Sequence, residues 1–159
     1  MIRKIISGGQ TGADRAALDF AILHGIPHGG WVPRGRRTED GTLLEKYCLE
    51  EMPTPDYAQR TEKNVLSADG TLVVSHGYLK GGSALTVFLA EKHRKPCIHA
   101  DLDEWLAEEA AGRIQRWLQE HRIGVLNVAG PRAGADPMIY RATFDLLEVL
   151  LAEFESKGP

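Results

Sequence analysis

The stretch Ile5-Ile6-Ser7-Gly8-Gly9-Gln10-Thr11-Gly12-Ala13-Asp14-Arg15 sets the fold of this chain. A short apolar run enters a turn with three glycines and leaves it in an alanine-rich helical pattern. Strand, glycine loop and helix in that order form the shape of an anion cradle. The glycines let backbone N–H groups approach a ligand, and the positive end of the helix dipole faces it. No Lys-Ser or Lys-Thr follows, so the loop is not a Walker A sequence. Glycines at 8, 9 and 12 do not match G-x-G-x-x-G either. Spacing alone leaves plain turn chemistry open beside the ligand role.

Working outward, the first helix is expected over Ala13 to His24, stopping at Gly25. Ala16, Ala17, Phe20, Ala21 and Leu23 share the face that packs on a sheet, while Leu18 and Ile22 fall on the outer side and suggest contact with another subunit. Pro27 to Val32 reads as a short second strand. The polar connection from Pro33 to Thr42 carries Arg34, Arg36 and Arg37, either as a solvated loop or as an arm folding over an anion. Leu43 to Met52 is expected to be a short helix ended by Pro53 and Pro55. In the helical segment that follows, Tyr57, Arg60, Thr61 and Asn64 share one face, a solvated one or a wall of the site.

Thr71 to Ser75 is β-branched and apolar, the clearest strand in the chain. It runs into a second glycine loop, His76 to Ser83, with Ser83 as the expected N-cap of a deeply buried helix over Ala84 to His93. Lys95 to His99 gives a fourth strand, and Asp101 or Asp103 caps the helical region after it. Gly124 to Ala129 gives a fifth strand. A third glycine-bearing turn, Gly130 to Pro137, then leads into the last helix, with Asp136 and Pro137 as cap and first position.

Strand and helix thus alternate five times, which calls for an α/β fold: one domain over residues 1–159, a doubly wound, Rossmann-like parallel sheet of about five strands with helices on both faces. Sequence-neighbour connections give the strand order 2-1-3-4-5. The switch point then falls between strands one and three, so the first two glycine loops face one crevice at the carboxyl edge.

The chemistry in that crevice is legible residue by residue. Gly8, Gly9, Gly12, Gly81 and Gly82 offer backbone amides. Gln10, Thr11, Ser83 and Thr86 offer neutral hydrogen bonds. Lys80 and Arg132 add positive charge, and Arg60 and Asn64 stand on the nearby helix. Asp14 is either a first-turn helix acid or a carboxylate of the site, and it is the one candidate for acid–base work. Lys80 is otherwise an exposed loop lysine. His28, His76, Cys97 and His99 lack the spacing of a metal site, so no directly coordinated metal is expected, and Cys97 reads as core.

The chain has 159 residues and a net charge of −3, which gives no reason to expect nucleic acid or an anionic membrane as partner. Two cysteines suit a reducing compartment, and the N-terminus enters a strand without a signal-peptide apolar region. A cytoplasmic protein is the expectation.

Three motifs carry a resemblance: Gly8-Gly9-Gln10-Thr11-Gly12-Ala13-Asp14, the Tyr57…Arg60-Thr61…Asn64-Val65 segment, and Lys80-Gly81-Gly82-Ser83…Thr86. Together they resemble the molybdenum carrier family, over nearly the whole chain. That family is similar to molybdenum-cofactor carrier proteins and, distantly, to the cytokinin-activating phosphoribohydrolases. The resemblance implies a Rossmann-type sheet, a nucleotide-like or pterin-phosphate ligand at the glycine loops, and self-association into a homo-oligomer, a dimer or higher.

One departure matters. The phosphoribohydrolases carry Pro-Gly-Gly-x-Gly-Thr-x-x-Glu. Here Lys80 replaces the proline, Ala84 the third glycine, and Phe88 the glutamate, with Leu89 there if the match shifts by one. Neither Phe nor Leu does acid–base work. The sequence therefore favours a binding protein for molybdenum cofactor or a related small phosphorylated ligand. The alternatives are a nucleotide-processing, phosphoribohydrolase-like enzyme using Asp14 and a nucleotide-sensing module.

Overall fold

The computed structural model describes residues 1–156. Its elements run β1 (Lys4–Ile6), α1 (Ala13–Leu23), β2 (His28–Gly29), β3 (Trp31–Val32), β4 (Arg37–Thr38), β5 (Gly41–Thr42) and β6 (Glu50–Glu51). They continue with α2 (Tyr57–Ser67), β7 (Gly70–Ser75), α3 (Gly81–Lys92), β8 (Cys97–Asp101), α4 (Ala107–Glu120), β9 (Val125–Ala129) and α5 (Ile139–Ser156). Five of the strands form one sheet in the order β2-β1-β9-β7-β8, and every pairing in it is parallel. The fold is α/β and Rossmann-like, as the alternation predicts.

The strand order is not the expected one. In chain order the five strands lie 2-1-5-3-4, because the last of them, β9, inserts between β1 and β7 instead of ending the sheet. The reason lies in its side chains. Leu126 and Val128 are fully buried, and between them Asn127 donates from Nδ2 to Thr71 Oγ1 of β7 at 3.2 Å, both residues buried and in register. Each polar group needs a partner in the interior, and each supplies the other's. β8 takes the edge, where Cys97, Ile98 and His99 are half-buried. Counted from β9 as though the chain began there, the order becomes 3-2-1-4-5, that of a Rossmann sheet.

Helices α1, α4 and α5 pack together in the largest core, with Ile5, Leu72 and Val74 beneath them. Helices α2 and α3 pack on each other around Val65, Leu89 and Ala90. α3 is not deeply buried as its apolar composition suggests: Ala84 and Phe88 are exposed, so the helix covers the sheet with one side only. It begins at Gly81 with Lys80 as N-cap, and no side chain caps it, Ser83 included.

The segment from residue 31 to 52 corrects two expectations. Residues 43 to 52 form no helix. They run as turns ending in β6, which pairs in parallel with β3. The carbonyls left without helical partners are gathered by Arg36, whose guanidinium donates to Leu43, Leu44, Tyr47 and Leu49. Arg36 is therefore a structural hub, and neither Arg34 nor Arg37 reaches the cleft described below. The same segment covers the outer face of α1. Leu18 is completely buried among Val32, Leu43, Tyr47 and Leu49, so its burial, worth about 2 kcal/mol, is intramolecular and marks no subunit contact.

Candidate functional site

Because β1, β9 and β7 are neighbours, the three glycine-bearing turns that follow them lie side by side at the carboxyl edge of the sheet. The first and third turns are fused. Ala13 N donates to the carbonyl of Pro131 at 3.2 Å, and Ala133 N donates to Thr11 Oγ1 at 3.0 Å. A side chain at Gly12 would collide with that Pro131 carbonyl, and Gly12 has φ +81°, so this glycine exists for the close approach of two loops. Gly9, at φ +73°, packs against Leu43 and Leu49. Gly9, Thr11 and Gly12 thus shape the first loop from behind and do not line the cleft in front of it.

That cleft has a volume of about 850 Å³. Among the expected site residues, Gly8, Gln10, Asp14, Arg60, Asn64, Lys80, Gly81, Gly82, Ser83, Thr86 and Arg132 all line it. Their availability differs. Gln10 uses its side-chain carbonyl to accept from Thr11 N and Glu39 N, at 3.0 and 2.8 Å. Asn64 uses both ends of its amide on the backbone of Trp31. Thr86 donates to the carbonyl of Gly82 at 2.7 Å. Around Gly81 and Gly82, by contrast, nothing lies within 4 Å of where a Cβ would stand, so the first turn of α3 opens onto free space. Lys80 has no ion-pair partner among the described residues, whereas Arg132 is 3.6 Å from Glu39.

The back of the cleft holds a buried ion pair. Arg60 donates from Nη1 to the Gly8 carbonyl at 2.6 Å and stands 3.6 Å from Asp14 Oδ2, with both side chains about nine-tenths buried. Gly8 has no side chain because the guanidinium occupies that space. Burial pushes the Asp14 carboxyl up to about 6, and the charge of Arg60 and the backbone N–H of Gln10 only partly oppose it. Arg60 Nε has no hydrogen-bond partner.

Sequence reasoning missed a second carboxylate. His76 directly follows β7, and Asp136 closes the turn after β9. Their Nδ1 and Oδ2 atoms lie 2.6 Å apart, both residues lining the cleft. Asp136 also accepts from Met138 N at 2.9 Å, as its expected capping role requires. Next to this pair, Ser75 Oγ lies 2.6 Å from His99 Nε2 and 2.8 Å from the Gly77 carbonyl, and burial lowers the His99 pKa. The signal for His76–Asp136 is the Thr71–Asn127 polar match, which makes β7 and β9 neighbours and so joins their loops. Among the described residues no three His, Cys, Asp or Glu side chains converge as a metal site, and no helix is long and apolar enough to cross a membrane.

Comparison with known proteins agrees with this fold. No curated protein matches the chain. A crystal structure at 1.45 Å of a protein named "putative molybdenum carrier protein", from Syntrophus aciditrophicus SB, is 67% identical, with a TM-score of 0.94. The alignment covers 94% of this chain and 95% of that one. Residues 5–151 match the circularly permutated YpsA SLOG family, and permutation is what the strand order displays, with the central strand of the sheet supplied last. The chain belongs to the circularly permutated YpsA SLOG family.

Proposed function

We propose that the cleft binds a small phosphorylated ligand, the molybdenum cofactor or a nucleotide-like compound, and that the protein acts as its carrier. The observation that carries this reading is the open first turn of α3. Gly81 and Gly82 line the cleft with open space around them, so the start of the helix is accessible from it, beside Lys80, the cation there without an ion-pair partner among the described residues. The phosphate would sit against Gly81 and Gly82, with Lys80 and Arg132 neutralising it and Ser83 and Thr86 beside it. A cleft of about 850 Å³ is within the range of small-molecule and cofactor sites and far exceeds a bare oxyanion, which favours a ligand with a ring system. The name of the related Syntrophus protein supports the molybdenum cofactor specifically. Self-association and a cytoplasmic location belong to the same reading. They are supported by exposed apolar Leu66 and Phe88 on α2 and α3 and by two unpaired cysteines.

Gly82→Glu tests the placement. The position is open and φ is not positive, so the fold survives, and a first-turn acid suits the helix. The new carboxylate repels an anion. Native mass spectrometry and molybdenum analysis of wild type purified without phosphate should show a retained phosphorylated compound, lost in Gly82→Glu. Equal retention in the folded variant overturns the placement.

A further inference from the structure

The His76–Asp136 pair has no part in holding a ligand by charge, and its geometry is that of an oriented base. We propose that the cleft hydrolyses a phosphate monoester, with His76 Nε2 as the general base and Asp136 as its positioning residue. This rests on the phosphate site proposed above and takes its nucleotide-like ligand as a substrate, in place of a carried cargo. Asp136 Oδ2 takes the Nδ1–H of His76 at 2.6 Å, which leaves the Nε2 lone pair as the free acceptor. Nε2 has no partner among the described residues, and His76 lines the cleft with its side chain 28% exposed. Asp136 is itself fixed by Met138 N. A base oriented by a third group is the recurring arrangement for activating a nucleophile.

Position selects the bond. His76 precedes Lys80 by four residues in the loop that delivers the first turn of α3, and the two line the same cleft as Gly81 and Gly82. In the proposed step, Nε2 takes a proton from water as the water oxygen bonds to phosphorus and the ester P–O bond breaks. The leaving oxygen takes a proton from solvent, and the imidazolium returns its own to solvent. One water is consumed, an alcohol and inorganic phosphate are released, and nothing is oxidised or reduced. Asp136, after β9, and Asp101, at the end of β8, are the carboxylates that face His76.

The test uses the full chain with the four common nucleoside 5′-monophosphates and 4-nitrophenyl phosphate, following inorganic phosphate release and, separately, binding by calorimetry. Wild type should release phosphate from at least one of them. His76→Gln should lower turnover 100-fold or more while binding stays within threefold, the usual scale for losing a general base. Asp136→Asn should lower kcat tenfold or more with KM within threefold, and Asp136→Glu should restore part of it, which a merely structural role would not do. Binding without phosphate release, or release unchanged in His76→Gln, overturns the catalytic proposal and leaves the binding reading standing. Neither binding nor release overturns both.

Discussion

Replacing Asp14 with Asn separates burial from ion pairing at the back of the cleft. The Asp14 pKa stands at about 6 in the folded protein against an ordinary 3.8. Between those values the folded state holds a proton that the unfolded state has released, so stability falls as pH rises through this window and stays lower above it. The difference, 6 minus 3.8, is about two pH units, or about 3 kcal/mol of destabilisation by the ionised carboxylate at neutral pH. Asn has the shape of the neutral acid and cannot ionise, and Arg60 keeps its bond to the Gly8 carbonyl in its presence. Asp14→Asn should therefore match wild type at pH 4 and exceed it by about 2–3 kcal/mol at pH 8, read from urea denaturation at the two pH values. A variant less stable than wild type at pH 8 would refute the reasoning, because the Arg60 pairing would then outweigh the desolvation of Asp14.

Two further perturbations test the packing that shapes the site. Gly12→Ala forces a side chain into a left-handed position against the Pro131 carbonyl, and should cost about 2–4 kcal/mol in chemical denaturation. Arg36→Ala takes a donor from the carbonyls of Leu43, Leu44, Tyr47 and Leu49, of which Leu44 and Tyr47 keep a backbone donor, and should cost about 1–3 kcal/mol and open the segment from 31 to 52 to limited proteolysis.

What was legible in the sequence follows from how local the cause was. Strand β7 and helices α1, α2 and α5 are written in β-branched runs and apolar periodicity, whereas the glycines of the first turn serve close packing against Arg60, Leu43, Leu49 and Pro131. Ten of the thirteen ligand-site candidates line one cleft, and so does Asp14, because the loops after parallel strands all fall at one edge. Strand order was not legible by neighbour connection, since nothing local to Val125–Ala129 says that it inserts between β1 and β7. The buried match of Asn127 with Thr71 does say it, but only to a reader asking where each polar strand residue finds its partner. Arg36 misled for a similar reason. A guanidinium suits a phosphate and a ring of backbone carbonyls equally well, and only the path of residues 43 to 52 decides between them.

The strand order also changes what the site is. With β9 at the edge, the turn from Gly130 to Pro137 would stand apart from the loop after β7, and the cleft would lack Arg132 and Asp136. With β9 between β1 and β7, three loops meet. The first brings Asp14, which meets Arg60 of α2, the third brings Arg132 and Asp136, and the second brings His76 and the opening of α3. Arg60 is answered by Asp14 and Arg132 by Glu39, so the cleft gains little net attraction for an anion from its arginines. On the proposed reading, selectivity for a phosphate would then rest on directed N–H groups and Lys80, which act over a single turn of helix. Affinity governed this way falls steeply when a charge enters at Gly82 and only modestly with added salt, whereas a cleft working by net charge would respond in the opposite proportion. Measuring both dependences on one ligand decides between the two: a salt response as large as that of Gly82→Glu would place the binding energy in long-range charge and not in the start of α3.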